Sequence, residues 1–166
     1  MATTFLQLGV KSAEFRLSSY PSLFKMDAIA APVWGLAYDS ATDEAAFWRF
    51  PIRRYGSGNV TVTLLWTSYA GASGAVVWGA ALAAITPGDT TGVDSKTFAT
   101  EATVTSPHPG VAPDQVIRAD ITISSLDSLA NDDLVSLRIR RLGSNGSDTL
   151  GTDVILIGVI LSYSDT

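Results

Sequence analysis

Cysteine is missing from the 166 residues, and histidine occurs once. The first absence excludes disulfides and thiolate metal sites. The second leaves acyl-transfer triads and most zinc sites without the partnered imidazole they need. The one histidine, His108, stands between Pro107 and Pro109 and reads as a loop residue with a structural or solvated role. Charge is also scarce. Charged residues make up 16% of the chain, against about 25% in an average soluble domain. With a net charge of -5 there is no basic excess to neutralise phosphates, so a nucleic-acid partner is excluded. So few charges imply that part of the surface is hidden in contacts. The longest apolar runs, Ala75 to Ile85 and Val154 to Leu161, are too short to cross a bilayer as a helix. The start, Met1-Ala2-Thr3-Thr4, lacks the basic and apolar segments of a signal peptide. These features predict a soluble product of a cytoplasm, with no membrane insertion.

What is present is β-pattern. Val135, Leu137 and Ile139 alternate with Ser136, Arg138 and Arg140, as on a strand with one buried face. Val154 to Tyr163 is apolar at both parities: Ile155, Ile157, Val159 and Leu161 on one side, Val154, Leu156 and Ile160 on the other. A strand apolar on both faces needs cover on both, and a second copy of the chain is the expected cover. Val60 to Tyr69 is the cleanest further strand. Gly74 to Thr86 is alanine-rich, yet its Val76-Val77-Trp78 opening and its bounding glycine and Pro87-Gly88 favour strand. Its small residues would let a second sheet or subunit approach. Pro32 to Tyr38, Phe47 to Phe50, Thr97 to Thr105 and Val116 to Ser124 read as strands. Pro107 to Gly110 reads as a rigid loop. The count predicts an all-β fold, an antiparallel β-sandwich of jelly-roll type with about eight to ten strands. Residues 1–30 form an N-terminal arm or edge strand, and 31–166 the sandwich domain.

No group carries a catalytic signature. Asp43-Glu44 and Asp132-Asp133 are adjacent carboxylates, but neighbours on a strand point to opposite faces, and the spacing needed for glycosidase work is not implied. Asp132, Asp133, Asp148 and Asp153 are candidate calcium ligands by chemistry, though turn and strand-end aspartates account for them. Gly56-Ser57-Gly58 and Gly143-Ser144-Asn145-Gly146 lack the lysine and following helix of a phosphate loop. The expectation is no catalytic residue, no cofactor and no metal. Trp34, Trp48, Trp66 and Trp78 all fall in predicted strands, where tryptophan is usually core or interface. The arginine clusters, Arg49/Arg53/Arg54 and Arg138/Arg140/Arg141, suit cross-strand pairing with acids or a contact with an acidic partner.

Three pieces together resemble virion structural proteins of tailed phages and environmental viruses: Ala41 to Pro51, Val76 to Gly79 running on to Thr86-Pro87-Gly88-Asp89, and Asp127 to Ala130 followed by Leu134 to Arg141. The resemblance covers about residues 36 to 163 and implies a non-enzymatic capsid decoration or cement protein. It implies a homo-oligomer, a trimer, that meets the major capsid protein in a virion assembled in a host cytoplasm. The interface residues expected for that role are Trp48, Phe50, Arg53, Arg54, Val154, Leu156 and Ile160, since aromatics and arginine anchor interfaces. The alternative is a receptor-binding or tail-fibre module that recognises host glycans. A carbohydrate-active enzyme ranks behind both, because no acid/base pair stands out.

Overall fold

The structure is a computed structural model and describes residues 2–26 and 31–165. It is all-β, with ten strands among the described residues: β1 (Thr3–Leu8), β2 (Ser22–Met26), β3 (Val33–Tyr38), β4 (Asp43–Pro51), β5 (Val60–Thr67), β6 (Ser73–Ile85), β7 (Ala102–Pro109), β8 (Ile117–Ile123), β9 (Leu134–Leu142) and β10 (Val154–Ser164). A single 3-10 turn, Val10–Ser12, follows β1. The strands form two antiparallel sheets. One runs β2-β3-β10-β5-β8, with β1 beside the second half of β10; the other runs β4-β9-β6-β7. The sheets face each other as a sandwich, as the strand count predicts. The boundary expected at residue 30 adjoins residues 27–30, which lie outside the described residues. The strands before it, β1 and β2, pair with β10 and β3 of the same sheet.

Alternation builds the core. Trp48, Phe50, Leu64, Trp66, Trp78, Leu82, Leu137 and Ile139 all face inward and are buried. Trp78 sits between Tyr38 and Trp66, with ring centroids 5.2 Å and 6.3 Å away, in the edge-to-face geometry that aromatic quadrupoles favour. Two of the core indoles find partners: Trp48 Nε1 donates to Gly9 O at 2.9 Å, and Trp66 Nε1 to Ser106 Oγ at 3.1 Å, whereas Trp78 Nε1 has none.

Strand β10 departs from the sequence expectation. A bulge between Leu156 and Gly158 shifts its register against β5, and the extra residue resets which side chains face inward. Val154, Leu156, Val159, Leu161 and Tyr163 are therefore all core, while Ile155, Ile157 and Ile160 face out. No second chain is needed to cover Ile155, which is only 2% exposed. The absent side chain of Gly35 leaves room for it, since a Cβ there would stand 2.3 Å from Ile155 Cγ2. Phe24, the cross-strand partner of Gly35, stands edge-on to Tyr69 at 5.4 Å.

Strand β7 also differs. Pro107-His108-Pro109 is strand, not loop, and residues 97–101 lie outside it. Proline is tolerated because β7 is an edge strand, where a missing N–H interrupts no ladder. His108 is buried in that strand, its ring 5.8 Å from Trp66.

Candidate functional site

The outer face of the β4-β9-β6-β7 sheet carries the site. Its floor is built by outward positions of three strands: Asp43, Ala45, Phe47 and Arg49 on β4, Ser136, Arg138 and Arg140 on β9, and the small residues Gly79, Ala81 and Ala83 on β6. Registers Phe47↔Arg138 and Ala81↔Arg138 put these in one row.

Two segments wall the floor. Residues 14–19 attach to the free edge of β4: Glu14 and Phe47 exchange backbone hydrogen bonds at 2.7 Å and 3.0 Å, and Ala45 N donates to Ser19 O at 3.0 Å. Between these anchors the chain bows outward and exposes Phe15, Arg16, Leu17 and Ser18. Ser19 closes the bow with φ 57°. On the other side, residues 93–101 fold back over β6, with Ala99 N bonded to Leu82 O at 2.9 Å. The Glu101 carboxylate lies over Gly79, where an added Cβ would stand 2.8 Å from Glu101 Cδ. The small residues of β6 thus admit the chain's own loop.

Between the walls run two adjoining cavities that share Arg16, of about 190 Å³ and about 360 Å³. The first is aromatic and mixed in charge. Phe47 and Phe98 meet at 5.8 Å, Arg16 lies over Phe47 at 5.2 Å, and Arg138 over Phe98 at 4.8 Å. Glu14 pairs with Arg49 at 3.2 Å, and Lys96 reaches Asp127 at 3.0 Å. The second cavity is polar and cationic, lined by Arg16, Ser18, Ser19, Asp43, Arg138 and Arg140. Glu101 bridges Arg138 (3.0 Å) and Arg140 (3.2 Å), and Arg140 also binds Asp43 at 2.9 Å. Burial lowers the Arg138 pKa. Glu101 opposes that shift, and the like charges of Arg140 and Arg16 add to it. Arg138 Nε has no acceptor.

The residues singled out from the sequence are mostly elsewhere. Of the expected interface set, Trp48, Phe50, Val154 and Leu156 fill the core, because alternation and the β10 bulge turn them inward. Arg53 pairs with Asp132, and Arg54 with Asp165 at 2.9 Å. Ile160 faces out, half-buried, on the opposite sheet. The two arginine clusters divide in the same way. Arg138 and Arg140 reach the cleft, whereas Arg141 points inward and is fully buried against Asp148. The carboxylates weighed for calcium are engaged separately: Asp148 with Arg141, Asp132 with Arg53, Asp133 with Ala130 N, and Asp153 with Ser40 N. Among the described residues no cluster suited to a metal ion forms. Asp43 and Glu44 lie on opposite faces of β4. Sequence reasoning missed Glu14, Phe98, Lys96 and Glu101 as site residues. Only the alternation that puts Phe47, Arg49, Arg138 and Arg140 outward pointed to this face.

No family model and no curated protein matches the chain. Solved structures do match in fold. One is the CBM36-1 domain of a multidomain xylanase from the hindgut metagenome of Trinervitermes trinervoides, at 13% identity over 99% of each chain, with a TM-score of 0.50. Another is the Arthrobacter globiformis T6 isomalto-dextranase, at 13% identity over 96% of this chain and 23% of that one, TM-score 0.50. A third is the Agl-KA catalytic domain, at 13% identity over 96% of this chain and 28% of that one, TM-score 0.52. The chain spans about a quarter of the latter two. At these identities the likeness is one of fold. It overturns the resemblance to virion decoration proteins: the fold that matches end to end is a carbohydrate-binding module, not a capsid cement protein. The trimer and the capsid partner rest on that resemblance and lose its support with it.

Proposed function

We propose that this chain is a carbohydrate-binding module with no catalysis of its own, and that its glycan lies along the cleft floored by β4 and β9. The observation that carries this reading is the cleft's composition. Phe47 and Phe98 offer rings of the kind that pack against the C–H faces of a sugar. Arg16, Arg49, Arg138, Ser18 and Ser136 offer donors and acceptors within the same two cavities. A largely formed apolar surface with a few convergent polar groups is the ordinary form of a small-ligand site. The end-to-end match in fold to a carbohydrate-binding domain agrees with it.

The same geometry speaks against hydrolysis. A glycosidase sets one carboxylic acid and one carboxylate across the scissile bond. Here Glu14, Asp43 and Glu101 are each held in ion pairs by arginine. The remaining acid of the lining, Asp94, lies on the exposed rim.

A glycan array followed by titration calorimetry tests the reading. At least one glycan class should bind, and Phe98→Ala should weaken that binding by roughly tenfold with the far-ultraviolet spectrum unchanged. A blank array, or binding indifferent to Phe98→Ala and Phe47→Ala, overturns it.

A further inference from the structure

The second cavity has a charge excess opposite in sign to the rest of the protein. Three guanidinium groups, Arg16, Arg138 and Arg140, meet at it. Among the described residues only two carboxylates pair with them: Glu101, shared between Arg138 and Arg140, and Asp43, bonded to Arg140. Arg16 has no carboxylate within ion-pair distance among the described residues; its one contact there is the face of Phe47. Asp43 is further drawn off by Ser144, whose backbone N and Oγ donate to its Oδ1 at 3.0 Å and 2.8 Å. The chain as a whole carries -5, so a local surplus of cations is not a by-product of composition.

Arg16 is also placed to act. It sits on the outward bow of residues 14–19, between two backbone anchors on β4. Arg16 is an exposed residue that lines both cavities. The hydroxyls of Ser18 and Ser19 line the same space. Arginine's planar fork pairs two-pronged with a carboxylate or a sulfate, and partial desolvation between the walls strengthens that pairing.

From this arrangement we infer that the glycan bound in the cleft is acidic, and that its anionic substituent, a uronate carboxylate or a sulfate ester, lies in the second cavity between Arg16 and Arg138 while neutral parts of the sugar rest on Phe47 and Phe98. This inference rests on the carbohydrate-binding reading and narrows it. Neutral glycans would engage only the aromatic half of the cleft.

Three oligosaccharide probes of equal length separate the possibilities: a neutral xylo-oligosaccharide, an oligouronate and a sulfated oligosaccharide, each titrated into wild type and Arg16→Gln. The wild type should prefer at least one acidic probe, with affinity that falls as salt rises. Arg16→Gln, a change at an exposed residue, should cost that probe about tenfold and cost the neutral probe, which it meets only beside Phe47, markedly less. Which acidic probe binds tells carboxylate from sulfate. Equal binding of neutral and acidic probes, or indifference of the acidic one to Arg16→Gln, overturns the acidic-ligand inference and leaves the carbohydrate reading standing. Failure of all three probes and of the wider array removes both. Binding of a polyglutamate peptide in place of any sugar assigns the cavity to a protein partner and likewise overturns the inference.

Discussion

Arg141 and Asp148 form an ion pair with no exposed side-chain surface on either partner. Arg141 Nη2 and Nε donate to the two carboxylate oxygens at 2.8 Å and 3.1 Å. The remaining donors go to the carbonyls of Leu150 (2.6 Å), Thr152 (2.8 Å) and Tyr38 (3.4 Å), and Asp148 also accepts from Val77 N at 3.0 Å. The pair therefore ties the end of β9, the β9–β10 loop and β6 together. Its two charges are satisfied only by each other and by fixed backbone. Removing one leaves the other buried and uncompensated, at a cost of about 3–5 kcal/mol. Asp148→Ala should lower the urea midpoint accordingly, whereas Arg53→Ala, at an exposed pair, should shift it by less than about 1 kcal/mol. Similar losses at the two sites would contradict this account.

Gly35 and Ile155 make a second testable contact. An alanine methyl at 35 would meet Ile155 Cγ2 at 2.3 Å and Leu156 O at 2.9 Å, distances that force the strands to shift. Gly35→Ala should cost about 1–3 kcal/mol as overpacking. Combining it with Ile155→Ala, which removes the offending methyl, should cost less than the sum of the two single changes. A double-mutant cycle on denaturant unfolding reads the coupling directly.

Glu44 gives a pH-dependent prediction. Burial raises its pKa; the hydrogen bond from Asp39 N opposes this, and the charges of Asp39 and Asp153 reinforce it. A group raised on folding contributes stability below its unfolded pKa and loses that contribution as pH rises through the folded one. At pH 7 the ionised, half-buried carboxylate is therefore a burden. Glu44→Gln keeps an oxygen for Asp39 N and removes the charge. It should be more stable than wild type at pH 7, and the difference should close by about pH 3.5, below the ordinary glutamate value. A wild type that is the more stable at pH 7 would refute the assignment.

The fold was open to reading wherever alternation or punctuation marked it. Val135, Leu137 and Ile139 face inward as their spacing implies, and β6 is strand in spite of its alanines because glycine and Pro87-Gly88 bound it. Two devices hid the rest. A bulge is an inserted residue, and its one mark in Leu156-Ile157-Gly158 is the glycine, a residue that often signals a bulge inside a strand; read as regular strand, β10 required outside cover at Ile155, which its own sheet supplies. Arg141 looked like one of three surface arginines. Counting by twos from Ile139 would have sent it inward, which was the available clue. The cleft was harder still: Glu14, Phe47, Phe98 and Glu101 are far apart in the chain, and only the pairing of residues 14–19 to β4 and of residue 99 to β6 assembles them.

Besides the backbone bond of Ala99 to Leu82, a side-chain tether holds the wall that carries Phe98. Lys96 Nζ binds Asp127 Oδ2 at 3.0 Å, and the same oxygen accepts from Ala84 N at 2.9 Å, which fixes the 93–101 segment to β6. Both side chains of the pair are partly exposed, so the bond itself contributes little stability, about 1 kcal/mol or less. Its consequence is positional. With Lys96→Met the loop keeps its Ala99 bond to Leu82 but loses its hold on Asp127, and the ring of Phe98 samples positions away from Phe47. The variant should therefore show faster amide exchange over residues 93–98 and a several-fold weaker glycan affinity, with a thermal midpoint close to wild type. Affinity is expected to fall because a flexible wall must be ordered at each binding event. If exchange rises and affinity does not change, Phe98 is not part of the sugar contact, and the aromatic half of the cleft must be reassigned to Phe47 and Phe15.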